Sequence, residues 1–94
     1  MKFRKKPVVI EAIQYDGTPE GNRTIIDWTR GTPTKAFMDT IIRSTDADGE
    51  VPALKITTLE GDHVVSPGDW VIRGVAGEHY PCNPDIFAET YEHA

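Results

Sequence analysis

The sequence predicts a small antiparallel α+β domain, and three observations carry that reading. Short stretches of alternating apolar and polar residues, rich in Val, Ile and Thr, recur along the chain. Turns built on Pro, Gly and Asp separate them, and two segments open with residues that cap helices. Hairpins on a chain of 94 residues are expected to curl into a partly barrel-like sheet with two short helices, one crossing after the first strand and one closing the end.

The first strand is expected over Val8–Tyr15, opened by Pro7, with Val8, Ile10 and Ala12 on one face. Asp16-Gly17-Thr18-Pro19 reads as a turn. Thr18 or Asn22 then caps a helix that carries Ile25, Ile26, Trp28 and Thr29 on one side and ends at Gly31. After a Thr32-Pro33-Thr34 loop, a strand is expected over Thr40–Ser44, followed by a turn at Asp46–Gly49. Leu54–Leu59 and Asp62–Ser66 flank Glu60-Gly61 and read as a hairpin. Pairing Leu59 with Asp62 places Leu54, Ile56, Thr58, His63 and Val65 on one face. Pro67-Gly68-Asp69 turns into a strand over Trp70–Arg73, and Gly74 and Gly77 bracket the next turn. Asn83 as N-cap, Pro84 at the first helical position and Asp85 in the first turn start the last helix. Its stripe of Phe87, Ala88 and Tyr91 has to dock on the sheet, because so short a helix is marginal alone.

The length fits one domain over residues 1–94. A single cysteine, Cys82, excludes an intramolecular disulfide and favours a reducing compartment. Behind a basic start (Lys2, Arg4, Lys5, Lys6), the apolar run Val8-Val9-Ile10 is broken by Glu11, too soon for a signal sequence or a membrane span. The net charge of −5 disfavours nucleic acid as the partner of the whole surface.

No Walker loop, dinucleotide glycine fingerprint or Ser/His/Asp signature is present. Cys82 precedes a helix start, and His79 is the nearest base for it. The spacing is unspecific, so Cys82 is expected to be an inert, largely buried apolar group, and no catalytic residue is assigned. His63, His79 and His93 lack zinc-ligand spacing, so neither metal nor cofactor is expected. Asp69 is expected to bond its own turn and Trp70 to pack in the core; a role in binding, with Trp70 as a stacking platform, is the alternative for both. Arg73 is the best candidate for an anion contact, the alternative being an ion pair with Glu60 or Asp62. The five residues Glu78–Cys82 span no more than roughly 18 Å, which draws the Gly74–Gly77 turn towards the last helix. Arg73, Glu78, His79 and Tyr80 are then expected to border one concave rim, the anatomy of a small binding site.

Several runs together carry a resemblance: Ser66-Pro67-Gly68-Asp69-Trp70-Val71-Ile72-Arg73-Gly74, then Tyr80-Pro81-Cys82-Asn83-Pro84-Asp85-Ile86-Phe87 and Thr90-Tyr91-Glu92, with Arg4-Lys5-Lys6-Pro7-Val8-Val9-Ile10-Glu11-Ala12 at the start. In these the chain resembles the short phage and prophage proteins known for a Pro-Gly-Asp-Tyr/Trp motif (PGDYG-like). The likeness covers both ends and about half of the chain, while Thr32–Val51 has no counterpart and His79 stands where the family pattern has an aromatic residue. It implies a mobile-element origin and a shared fold rather than a reaction. The expected function is a non-enzymatic accessory protein in the cytoplasm of an infected bacterial host, binding a host protein or a small ligand through Asp69, Trp70, Arg73, Glu78, His79 and Tyr80. The alternative is a structural or assembly component acting through self-association. A homodimer is expected in either case, because a short curled sheet leaves an edge strand open.

Overall fold

The computed structural model describes residues 10–42 and 50–91. Its elements follow in the order β1 (Glu11–Gln14), α1 (Pro19–Thr29), β2 (Ala36–Ile42), β3 (Glu50–Thr58), β4 (Gly61–Val65), β5 (Trp70–Arg73), β6 (His79–Cys82) and α2 (Pro84–Thr90). The antiparallel α+β class is the predicted one. The barrel-like curl is not formed: the strands divide into two three-stranded sheets, ordered β1-β5-β6 and β2-β3-β4. The cause lies in the Ser66–Asp69 turn, which carries the chain from one sheet to the other. Its backbone is tied to β1 rather than β4, with Gly68 N–H donating to the Tyr15 carbonyl and Tyr15 N–H to that of Asp69, both at 2.8 Å. Asp69 closes the turn itself, accepting at Oδ2 from Ser66 N–H at 2.9 Å.

Thr18, not Asn22, caps α1, its Oγ1 accepting from Gly21 N–H at 3.0 Å. Asp16 Oδ1 in turn accepts from the Thr18 hydroxyl at 2.7 Å, which fixes the cap's rotamer. The strand expected over Thr40–Ser44 instead runs over Ala36–Ile42. It begins where buried Thr29, at the end of α1, accepts the Ala36 N–H at 2.8 Å. Val8 and Val9, Ser44 and the turn Asp46–Gly49 lie outside the described residues.

The β3–β4 hairpin forms with a register shifted by two residues: Thr58 pairs with Gly61, Ile56 with His63 and Leu54 with Val65. The connection is therefore Leu59-Glu60, and Gly61 supplies the positive φ of 116° that neither of those two adopts. Because side chains alternate with period two, a shift of two leaves every residue on its expected face. Leu54, Ile56 and Val65 accordingly enter the core, where they meet Tyr15, Ile25, Ala36 and Val71. Each such burial is worth about 1.5–3 kcal/mol relative to exposure. Pro52 is tolerated within β3 because the ladder to β4 begins only at Leu54, so its missing N–H falls where β3 has a neighbour on one side alone.

The sheet β1-β5-β6 is covered on both faces. Cross-strand register places Ile13, Val71 and Pro81 in one row, facing the core, and Ala12, Ile72 and Tyr80 in a row on the other side. The second side receives α2, where Phe87 stacks on Trp70 with ring centroids 4.3 Å apart and planes within 7°. Tyr91 follows at 5.1 Å from Phe87. Helix α2 starts as the sequence predicts, with Asn83 Oδ1 accepting from Asp85 N–H at 2.8 Å.

Candidate functional site: a pocket beside strand β6

The tip of the β3–β4 hairpin comes up beside β6 and leaves a pocket of about 390 Å³. Thr58, Leu59, Glu60 and His63 line it from the hairpin, Thr34 from the loop before β2, and Glu78 to Pro81 from β6 and the residue before it. The volume suits a small molecule.

His79 is the most constrained of these groups, at 1% exposure. Thr34 Oγ1 accepts the His79 backbone N–H at 2.8 Å and lies 2.9 Å from its Nδ1. The hydroxyl donates to Nδ1 in the Nε2–H tautomer and accepts from it in the Nδ1–H tautomer, its two lone pairs accommodating either. In both tautomers Nε2 is buried and has no partner among the described residues. The indole of Trp28, on α1, meets the imidazole edge-on with centroids 4.8 Å apart. Burial pulls the His79 pKa below the ordinary histidine value, and the Arg73 cation adds to the effect against the opposing charge of Glu78.

Glu78 brings a second unsatisfied atom, its Oε2, buried without a partner among the described residues. Its carboxylate folds back over the turn from Gly74, whose amide donates to the Glu78 carbonyl at 2.8 Å. A Cβ at position 74 would meet Glu78 Oε1, so a larger residue there would push the flexible carboxylate aside. Tyr80 completes the wall. Its phenol is pushed up to about 12, first by burial and then by a hydrogen bond with Tyr91 and nearby negative charge.

Of the six predicted binding residues, the pocket gathers Glu78, His79 and Tyr80 and leaves out Arg73, Asp69 and Trp70. Arg73 is the cross-strand neighbour of His79, but its guanidinium turns to Glu11 at 3.8 Å rather than to Glu60 or Asp62. Asp69 is spent on its own turn, and Trp70 is covered by Phe87, so it offers no free ring face on that side. Thr34, Thr58, Leu59, Glu60, His63 and Pro81 were not marked as site residues by the sequence. For Thr34 no signal existed, because its partner lies 45 residues away.

Cys82 is half-buried and pairs with Trp70, and strand alternation sets it on the sheet face opposite His79. Burial, with the Asp69 charge second, raises its thiol pKa, which favours the less reactive form. Among the described residues no cluster of three or more His, Cys, Asp or Glu could hold a metal ion, and no helix is long and apolar enough to cross a membrane. Compared with protein-family models, curated proteins and solved structures, the chain matches none.

Proposed function

We propose that this is a non-enzymatic binding protein that holds a small polar ligand in the pocket beside β6. The observation that carries the reading is the pair of buried, unpartnered polar atoms on adjacent pocket residues, His79 Nε2 and Glu78 Oε2. Leaving such groups unsatisfied costs about 1–3 kcal/mol each. A ligand that hydrogen-bonds Nε2 or donates to the carboxylate recovers that cost on binding. The separation of Cys82 from His79 across the sheet supports binding rather than nucleophilic catalysis, which needs a base within hydrogen-bond reach. The resemblance to phage and prophage proteins supports an accessory role in the cytoplasm of an infected bacterium, with the ligand drawn from the host.

The test is mass spectrometry of small molecules released when protein purified from a bacterial host is denatured. Rebinding is then followed by Trp28 fluorescence, since that indole touches His79. A stoichiometric compound is expected to rebind to wild type. Tyr80→Ala should weaken rebinding tenfold or more, whereas Arg73→Ala, outside the pocket, should leave it unchanged. Recovery of a host protein with no small molecule, or equal loss in both variants, would remove the pocket from the function.

A further inference from the structure

We infer that the outer edge of β4 is the surface on which a second copy of this chain docks, by antiparallel strand addition. The hydrogen-bond parity of the sheet fixes which groups face outward. Thr57 N–H donates to the Lys35 carbonyl at 2.9 Å, so odd-numbered residues of β3 bond β2, and Leu54, Ile56 and Thr58 bond β4 through Val65, His63 and Gly61. Asp62 and Val64 therefore aim N–H and C=O away from the sheet, and among the described residues nothing meets them. Residues 61–64 are all exposed, a run not found in β1, β5 or β6. Val64 is 39% exposed and Leu59, at the same hairpin's tip, 99%.

Two of the other edges carry the devices that block addition. On β6 the outward-facing residues are His79, whose N–H is taken by Thr34, and Pro81, which has none. On β2 the outward N–H of Ala36 is held by Thr29 and that of Thr40 by the Asp39 carboxylate. Among the described residues β4 has no such protection, and its short central segment suits a two-fold. Pairing Asp62 of one copy with Val64 of the other forms four hydrogen bonds from groups already bare and sets the two His63 residues opposite each other. His63 lines the pocket, so the mouth of each pocket would be bordered by His63 of the partner subunit.

Light scattering at tens of micromolar should report twice the 10.5 kDa of one chain. Val64→Pro removes only an outward donor, so it is expected to give a folded 10.5 kDa monomer. Should that variant fail to fold, Val64→Asp tests the same edge by setting a carboxylate directly opposite the partner's Asp62, and it too should be monomeric. His63→Cys in a Cys82→Ser background should crosslink on oxidation, since the facing Cα atoms of a non-hydrogen-bonded pair lie within disulfide reach. A monomeric wild type, or a folded Val64 variant that stays dimeric, overturns the interface, and failure to crosslink overturns the register.

Discussion

At the scale of single residues, His79 carries the largest consequence. Its ring is buried between Thr34 and Trp28 and its pKa in the folded state is lowered, chiefly by that burial. The unfolded chain, with a histidine pKa of about 6.5, takes up the proton first as pH falls. Stability is therefore intact above that value and declines as pH drops from it towards the lower folded-state pKa. The melting temperature of wild type should fall between about pH 7 and 5.5, and His79→Phe, which preserves the aromatic contact with Trp28, should flatten that slope. The carboxylates of Asp16 and Asp39 also have lowered pKa values, through hydrogen bonds to Thr18 and to Thr40. Their contribution is lost only below about pH 4, outside this window. A wild-type melting temperature independent of pH across the window would sink the assignment. None of this was visible in the sequence, where His79 was one of three histidines; its role depends on a hydroxyl from a loop 45 residues away.

At the scale of elements, the local signals were most reliable where the physics is local. Asn83-Pro84-Asp85 announced α2 because the cap, the fixed proline φ and the dipole-facing acid all act within one turn. What holds α2 in place is longer in range: the Phe87 ring on Trp70. Phe87→Ala should cost about 2 kcal/mol in denaturant unfolding, below the usual core value because the ring is half-buried. Ile86→Ala, on the exposed side of the same turn, should change stability by less than about 0.5 kcal/mol. Equal costs for the two would mean that α2 is not docked as described. The β3–β4 hairpin marks the opposite limit. Its faces were legible from the alternation of Leu54, Ile56 and Val65, but the register was not. Glu60-Gly61 looks like the turn, whereas Gly61 instead follows the turn and supplies its positive φ.

At the scale of the whole molecule, the strands and helices were largely legible but their partners were not, because periodicity identifies a strand without saying which edge it joins. The decisive bonds are those between Tyr15 and the Gly68-Asp69 backbone, which recruit β5 to β1 and divide the strands between two sheets. The pocket exists because of that division, since β6 belongs to one sheet and the hairpin that walls it to the other. The same topology bears on the order of assembly. The sheet β2-β3-β4 is contiguous in sequence, whereas β1 must find β5 across most of the chain, Glu11 against Arg73. Local pairings close faster than distant ones, so pulse-labelled hydrogen exchange during refolding should protect β3 and β4 amides before those of β1 and β5. Simultaneous protection would show that the two sheets form as one unit. On the ribosome the asymmetry is sharper: β1 is made first and waits, an unpaired strand, until β5 has been synthesised.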